Sequence, residues 1–221
     1  LDAHPGTSNS LGHMGARMDA IREAGCDAVV LLGQVPRQDP RNLNLDAGGM
    51  AMVPALLAAA PKGDDALLRA LLSEHERAGF LVLGADEVMA DLLATSGVWG
   101  AVAPTPTQQK DIARAAKVAA AIGSYDVGQG VVVCDGIVLA VEAQEGTDAM
   151  LRRVGELPLT VRGTLEARRG VLVKRPKPIQ ERRIDMPTIG ARTVEGAARA
   201  GLAGIAVETG GALVVRRDEV V

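Results

Sequence analysis

Carboxylates are crowded into one short stretch of the sequence, AVEAQEGTDAML. Glu142, Glu145 and Asp148 surround Gly146-Thr147 directly after a run of Val, Ile and Leu. The strand that ends near Val141 is expected to lead into a helix over residues 149–154, with Thr147 as its N-cap. Free N–H groups at a helix N-terminus can bind a phosphate, and neighbouring carboxylates can hold a divalent cation. The pattern therefore predicts a site for a phosphate and a cation.

A purely structural interpretation of the same residues stays open. Acidic residues at a helix N-terminus are stabilised by the helix dipole by roughly 0.3 to 1 kcal/mol. Glu145 and Asp148 would then serve only the helix that follows them.

A basic loop, GVLVKRPKPIQERRIDMPTIG, forms the second group of candidates. Its cations are Lys174, Arg175, Lys177, Arg182 and Arg183, and three prolines exclude a regular helix. Lys and Arg suit phosphate oxygens, although such a charge run is also typical of a solvated surface. Asp185, between Ile184 and Met186, is the candidate for binding a metal or orienting an attacking water. An unperturbed Asp, with a pKa of about 3.9, is poorly matched to act as a plain general base at neutral pH.

Composition limits the class of partner. Hydrophobic residues make up 48% of the 221 residues but aromatic residues only 1%, which predicts an aliphatic core. The scarcity of aromatic residues argues against nucleic acid as a partner, because single-strand binders usually stack bases on aromatic rings. The net charge of −3 gives no general attraction for polyanions, so any anion site must be local.

The two cysteines and the hydropathy pattern point to a cytoplasmic protein. Cys26 and Cys134 stand in no paired spacing, which favours reduced thiols over a disulfide or a zinc site, and Cys134 is expected only to pack. No run approaches the roughly 18 to 20 apolar residues that cross a bilayer, and no signal peptide is visible. His75 is expected on an exposed helix face.

The first half of the sequence alternates helices with short apolar strands. Met14, Met18 and Ile21 recur at helical spacing before a strand over residues 27–32. A second helix, capped by Asp64 or Asp65 and ended by Gly79, precedes a strand over residues 80–83, and residues 86–93 form another helix. The alternation predicts an α/β domain over residues 1–104 with a parallel sheet.

The second half, residues 105–221, predicts an α+β domain with antiparallel hairpins. Thr105 begins a capping box for a helix that runs to Gly123. Asp135-Gly136 then joins two apolar runs in the pattern of a tight type I′ hairpin. Beyond it the pattern predicts a strand over residues 170–173, a helix over residues 193–200, and a second hairpin between residues 204–208 and 212–215.

Three runs in one order carry a family resemblance: DVGQG from Asp126, VEAQEGTDAM from Val141, and Lys174 followed by KPIQERRIDMPTIG from Lys177. In the first half, residues 11–15 and 32–35 with Arg37 add to it. Together they resemble the bacterial UDP-2,3-diacylglucosamine pyrophosphatases of lipid A biosynthesis, of the magnesium-dependent LpxI type with its own fold. The family opens with a hydrophobic strand and a Gly-rich loop that do not precede Leu1. The resemblance thus implies a Rossmann-like parallel sheet without its first strand.

The resemblance also implies an activity and a site. Water would attack the α-phosphorus of UDP-2,3-diacylglucosamine between the two domains, which releases UMP and 2,3-diacylglucosamine 1-phosphate. Asp185 matches the family's essential aspartate, and Mg²⁺ would be held by Asp185, Asp148 and Glu142. The substrate-binding residues implied are Gln129, Glu145, Gly146, Thr147, Asp148, Lys174, Lys177, Gln180, Arg183 and Thr188. Among these, Lys174, Lys177 and Arg183 would stabilise the leaving phosphate.

Two other functions stay open at this stage. The chain could be a non-catalytic module that binds a sugar nucleotide or phospholipid, or a phosphatase or nucleotidyltransferase acting on a different sugar nucleotide. Peripheral contact with the inner membrane is expected from the lipid substrate alone, and a homodimer is also left open.

Overall fold

The computed structural model describes residues 6–33 and 42–221. Gln34, Val35 and Arg37, which contribute to the family resemblance, lie outside the described residues. The chain forms two compact units, one up to Val88 and the other from Met89 onward. Each unit is described by itself.

The first unit contains four α-helices, a 3₁₀ helix at Ala60–Lys62 and two short strands in its described part. The helices are α1 (Met14–Glu23), α2 (Ala47–Ala59), α3 (Asp64–Arg77) and α4 (Ala85–Val88), and the strands are β1 (Ala28–Val30) and β2 (Leu81–Leu83). The two strands pair in parallel, with Ala28 opposite Leu81. The core between the helices and this pair includes Met14, Met18, Met52 and Phe80. The expected alternation of helices with short parallel strands is confirmed for this unit.

Helix α2 has no counterpart among the predicted elements. Its residues are almost all apolar, and Pro54 lies inside it, so the sequence shows no helical periodicity there. Asp46 caps the helix by accepting a hydrogen bond from Gly49 N at 2.7 Å. A Cβ on Gly48 would lie 2.4 Å from Gly15 N, so α1 and α2 can approach this closely only with glycine there.

Three expectations for the first half are wrong in detail. The helix expected over residues 86–93 is divided into α4 and a 3₁₀ turn at Ala90–Leu92, because Met89 adopts a non-helical conformation. Gly63, not an aspartate, occupies the N-cap of α3. His75 is 0% exposed, with Nδ1 2.8 Å from the carbonyl oxygen of Leu71. His75 lies one helical turn after Leu71, so His75 is on the apolar stripe of α3.

The second unit is built around a mixed four-stranded sheet. Its helices are α5 (Pro106–Ser124), α6 (Gly146–Gly155), α7 (Ala191–Arg199) and α8 (Arg217–Val220). Its strands are β3 (Gly130–Cys134), β4 (Ile137–Val141), β5 (Val171–Lys174), β6 (Thr188–Ile189), β7 (Gly204–Val207) and β8 (Leu213–Val214). The sheet order is β4-β3-β5-β7, and only the β5 and β7 pair is parallel. Helix α5 contributes Ala115 and Ala119 to one core, and α6 and α7 contribute to a second.

The first predicted hairpin and the helix before it are confirmed. Thr105 and Gln108 form the capping box of α5. Asp135 and Gly136 both have positive φ, 49° and 79°, as a type I′ turn requires. The buried carboxylate of Asp111 accepts hydrogen bonds from both turn residues, at 2.9 Å from Asp135 N and 2.7 Å from Gly136 N. Helix α5 therefore fixes the turn directly.

The second predicted hairpin is wrong. Strand β7 pairs in parallel with β5, while β8 pairs in parallel with β6 in a separate two-stranded sheet. Between β7 and β8 the chain turns away, since Gly211 N donates to the Glu208 carbonyl at 2.9 Å and Gly210 N to the Ala94 carbonyl at 2.8 Å. Strand propensity identified both strands, but the pairing partners come from distant parts of the chain.

The segment before α5 packs with the second unit. Ala94 N donates to the Ala212 carbonyl at 2.9 Å, and Leu93 forms an isolated bridge with Leu213. The observed division at Val88 and Met89 therefore precedes the boundary expected between residues 104 and 105. Among the described residues, no helix is both long enough and apolar enough to cross a bilayer.

Both cysteines are free thiols. Cys26 is exposed, whereas Cys134 is buried at the end of β3. Burial raises the pKa of the Cys134 thiol to about 11, so it is protonated at neutral pH. Its expected role in packing is confirmed.

Candidate functional site

The candidate residues lie at one end of the four-stranded sheet, where four strands begin or end. Gly130 begins β3 and pairs with Lys174, the last residue of β5, which in turn pairs with Val207 at the end of β7. Val141 ends β4 beside Val131. We call this end of the sheet the site end. The opposite end, at the Asp135-Gly136 turn, is the turn end. The antiparallel arrangement brings Gln129, Glu142 and Lys174 to the site end together.

Glu142 and Lys174 are buried charges joined through a hydroxyl group. Glu142 is 7% exposed and Lys174 is 5% exposed. Lys174 Nζ donates to Thr147 Oγ1 at 2.9 Å, and Thr147 Oγ1 donates to Glu142 Oε1 at 2.7 Å. A further hydrogen bond of 3.2 Å joins Lys174 Nζ to the Thr188 carbonyl. Because burial of an ion is costly unless its hydrogen bonds are made, this bridge keeps both charges in place.

The second carboxylate oxygen of Glu142 is the exception. Glu142 Oε2 is buried and has no hydrogen-bond partner among the described residues. Two glycines shape the backbone around it: a Cβ on Gly130 would lie 2.3 Å from Oε2, and a Cβ on Gly128 would lie 2.0 Å from the Glu142 carbonyl oxygen. The glycines of the DVGQG run therefore allow Glu142 to fold tightly against the start of β3.

A second cluster surrounds Asp185. Gln180 Nε2 donates to Asp185 Oδ2 and also to Gln129 Oε1, the latter at 3.3 Å. Gln180 Oε1 accepts from Lys177 N at 2.8 Å, so the Gln180 amide is held from both sides. Lys177 Nζ forms an ion pair of 2.5 Å with Asp126. Gln129, directly before Gly130, links this cluster to the site end of the sheet.

Other predicted residues form ion pairs with side chains that belong to neither hydrogen-bonded cluster. Asp148 pairs with Arg192, and Arg183 pairs with Glu181, at 3.0 Å in the second case. Glu145 Oε1 accepts from Arg153 at 2.7 Å. The pKa of Glu145 is lowered chiefly by a hydrogen bond from its own backbone N–H, with a smaller contribution from Arg153.

The first turn of α6 differs from expectation. Gly146 begins the helix and Glu145 is its N-cap, without a side-chain capping bond. Thr147 was expected at that cap, but its hydroxyl bonds to Glu142 instead, because Glu142 is the stronger acceptor within reach. The helix start at Gly146 also places Asp148 inside the first turn.

The fit of a magnesium ion depends on how many carboxylates converge. No group of three or more His, Cys, Asp or Glu side chains that could hold a metal occurs in the described ranges 6–33 and 42–221. Mg²⁺ commonly uses only one or two carboxylates together with substrate phosphates and water. The unpartnered Glu142 Oε2 is an oxygen of the kind that such an ion prefers.

Comparison with known proteins agrees with this arrangement of two units. The domain family described as the LpxI N-terminal domain matches residues 2–92, and the one described as the LpxI C-terminal domain matches residues 95–221. The chain belongs to the LpxI family. A UDP-2,3-diacylglucosamine pyrophosphatase LpxI of Caulobacter vibrioides is 53% identical over 221 residues, which cover 100% of this chain and 79% of that relative. The family resemblance read from the sequence is confirmed.

Two residues that contact the predicted site residues of this LpxI-family chain were not among the substrate or metal ligands expected from the sequence. Asp126, the partner of Lys177, stands in the DVGQG run but gives no separate sequence signal. Arg175, adjacent to Lys174, donates from its backbone N to the Gln129 carbonyl at 3.1 Å and forms an ion pair of 2.8 Å with Glu208. In the sequence, only the position of Arg175 in the basic loop pointed to these contacts.

Proposed function

We propose that the chain hydrolyses the pyrophosphate bond of UDP-2,3-diacylglucosamine and releases UMP and 2,3-diacylglucosamine 1-phosphate. The single observation that carries this proposal is the 53% identity, along the whole chain, to a protein named for pyrophosphatase activity on that compound. The buried Glu142, Thr147 and Lys174 bridge supports it, because a fixed ammonium group suits a phosphate oxygen.

In the proposed reaction, the water oxygen forms a bond to the α-phosphorus as the bond from that phosphorus to the bridging oxygen breaks. Asp185 orients the water, whose proton passes to solvent, and Gln180 holds the Asp185 carboxylate through one of its oxygens. The bridging oxygen leaves with the sugar 1-phosphate. Lys174, Lys177 and Arg183 stabilise the charge on that phosphate, and Gln129 and Thr188 position the substrate beside them.

The cofactor in this proposal is Mg²⁺, with Asp185, Asp148 and Glu142 as the ligands that the family resemblance implies. Because no three carboxylates converge within the described ranges, one or two of them would hold the ion together with the substrate phosphates. When bound, the ion would supply charge neutralisation on the pyrophosphate oxygens. The unpartnered Glu142 Oε2 supports this assignment. Asp148 would have to leave Arg192 in order to take part. Glu145, Gly146 and Thr147 would bind the phosphates through the first turn of α6.

The finer fold and the location are further parts of the proposal. The parallel β1 and β2 pair flanked by helices supports a Rossmann-like first unit. A cytoplasmic location with peripheral contact at the inner membrane follows from the lipid substrate, and co-sedimentation with phospholipid vesicles tests that contact. A homodimer remains an expectation, which sedimentation velocity tests.

The decisive assay measures UMP release from UDP-2,3-diacylglucosamine with Mg²⁺ and with EDTA. We expect release only with Mg²⁺, and a loss of about 10² to 10³-fold in Asp185→Asn, the range associated with removing one positioned polar contact at the reacting group. Asp91→Asn makes the same chemical change at an exposed position and should keep full activity. Full activity of Asp185→Asn would contradict the assigned role of Asp185.

Two other outcomes separate the alternatives. Saturable binding of the substrate by calorimetry without UMP release would favour a binding module. Equal turnover of unacylated UDP-sugars would favour a different sugar nucleotide as the substrate.

A further inference from the structure

A cavity of about 670 Å³, open to solvent and lined by exposed cations, lies at the turn end of the sheet, between α5 and the Asp135-Gly136 turn. Lys110, Arg114 and Lys117 contribute to its wall from successive turns of α5. Residues at this spacing lie on one helix face, so their side chains point in a common direction. The volume is within the range of about 300 to 1,000 Å³ that is typical of small-molecule sites.

The side chains of these three cations have no partner within the described part of the chain. Lys110, Arg114 and Lys117 make backbone hydrogen bonds in α5, but their side chains form no hydrogen bond or ion pair there. Among the other described lysines and arginines, only Lys62, Arg152 and Arg168 also have side chains without a hydrogen bond or ion pair, and none of these three lines the cavity. Like charges four residues apart destabilise a helix by roughly 0.2 to 0.5 kcal/mol. The arrangement therefore has a cost that no contact inside this part of the protein offsets.

The acidic residues in the cavity wall are already engaged. Asp111 is 1% exposed and uses both carboxylate oxygens to accept the two turn N–H groups. Asp135 accepts a hydrogen bond from Arg169 at 2.9 Å. Neither carboxylate is thus directed to the three cations, and the cavity keeps a surplus of positive charge in a protein whose net charge is −3.

The wall that presents the cations is well anchored. Ala115 and Ala119, on the opposite face of α5, are buried against β3 and β5. Asp111 ties the same helix to the turn, so both sides of the cavity are fixed relative to each other. A preformed site loses less entropy on binding than one that must be ordered.

We propose that this cavity binds a phosphate-bearing anion at a site separate from the proposed pyrophosphatase centre. Lysine and arginine are suited to phosphate oxygens, and Thr107 adds a hydroxyl donor to the wall. Strand β3 separates the two ends of the sheet by five residues, or about 13 to 17 Å at about 3.3 Å per residue. A free phosphate compound and a phospholipid headgroup share the required chemistry.

The test follows backbone amide signals by NMR while inorganic pyrophosphate is added. We expect saturable shifts at the amides of Thr107 and Gly136, separate from any shifts at Glu142 and Lys174. The triple variant Lys110→Ala, Arg114→Ala and Lys117→Ala should bind about tenfold more weakly at the first pair of amides. The matched control is Lys62→Ala, Arg152→Ala and Arg168→Ala, which removes the same charge elsewhere and should bind as the parent does.

A second arm distinguishes the source of the phosphate. Vesicles of phosphatidylglycerol are compared with vesicles of phosphatidylcholine by co-sedimentation, again with both triple variants. Binding of the anionic vesicles alone, lost only in the cavity variant, would assign the site to a lipid headgroup. The single charge reversal Lys117→Glu serves if the triple variant fails to fold. The proposal is overturned if neither probe binds at the turn end, or if the cavity variants bind as tightly as the control.

Discussion

Two buried carboxylates lie at opposite ends of the same sheet and are satisfied differently. At the turn end, both oxygens of Asp111 accept backbone N–H groups, at 2.9 and 2.7 Å. At the site end, Glu142 Oε1 accepts the Thr147 hydroxyl at 2.7 Å, while Oε2 has no partner in the described part of the chain. The two side chains are almost equally buried, at 1% and 7% exposure, so burial alone does not separate them.

The difference indicates which carboxylate is structural. Buried polar groups in folded proteins are nearly all hydrogen-bonded, and an unpaired one calls for a functional or solvent explanation. Both oxygens of Asp111 accept a hydrogen bond from the turn that it holds, so neither is left without a partner. Glu142 keeps one buried oxygen for a cation, a water or a substrate group. The contrast predicts that changes at the two positions separate activity from stability.

The largest expected effect is on activity at the site end. Glu142→Gln keeps the shape of the side chain but removes its charge. Turnover of UDP-2,3-diacylglucosamine should fall about 10² to 10³-fold, or about 2.7 to 4 kcal/mol, because an electrostatic contact to the reacting phosphates or their ion is lost. The free energy of unfolding should also fall, by about 1 to 3 kcal/mol, because the buried Lys174 loses its opposite charge, so turnover is measured per folded molecule. Unchanged turnover together with a large loss of stability would reverse the assignment.

The next effect concerns the fit of the backbone at the site end. A Cβ at Gly128 would meet the Glu142 carbonyl oxygen at 2.0 Å, and a backbone atom cannot rotate away. Gly128→Ala should therefore lower the free energy of unfolding by up to about 3 kcal/mol in urea titrations. Gly204→Ala is the matched control in the same sheet, because its Cβ would meet nothing within 4 Å. Equal stability of the two variants would remove the proposed steric requirement.

A smaller effect is expected at the turn end. In Asp111→Asn, the side-chain oxygen can accept a hydrogen bond from one of the two turn N–H groups. The side-chain N–H₂ group then faces the other turn N–H, and two donors cannot bond to each other. One buried donor is left unsatisfied, which should cost about 1 to 2 kcal/mol in stability. Turnover per folded molecule should match that of the parent, measured below the unfolding transition. A loss of turnover like that of Glu142→Gln would show that the two ends are not functionally distinct.

Much of this contrast lies beyond sequence-based prediction. The hairpin and the capping box of α5 were predictable because each depends on residues next to one another, such as Asp135-Gly136 and Thr105 with Gln108. The role of Asp111 was not, because its partners lie 24 and 25 residues further along the chain. The family's motif identified Glu142, but its free oxygen depends on the positions of Thr147 and of the glycines opposite.

Sequence-based prediction also failed for the pairing of two strands and for a helix whose residues are almost all apolar. The residues of β7 and β8 have strand propensity, yet their parallel partners β5 and β6 come from earlier in the chain, so a local hairpin was the wrong choice. Helix α2 shows no amphipathic pattern, since nearly every position is apolar and Pro54 interrupts it. Its existence depends on packing against α1 and on the Asp46 cap.

Asp46 extends the comparison to a carboxylate near the surface of the first unit. It accepts backbone hydrogen bonds from Gly49 at 2.7 Å, Ala16 at 2.8 Å and Gly15 at 3.2 Å. The bond from Gly49 is the main reason why the pKa of Asp46 is lowered from 3.8 to about 2. Like Asp111, Asp46 is saturated by backbone N–H groups, so it too should affect stability and not turnover.

The pH dependence of that contribution has a definite sign. A carboxyl group whose pKa is lower in the folded than in the unfolded chain adds stability above its unfolded pKa, and loses it as the pH falls through the folded pKa. Asp46→Asn should therefore lower the midpoint of thermal unfolding at pH 6, by an amount that shrinks between pH 4 and about pH 2. Asp27→Asn, at an exposed position in the same unit, should show no such convergence. Equal midpoints of the two proteins at pH 6 would mean that neutral capping, which Asn shares, accounts for the role of Asp46.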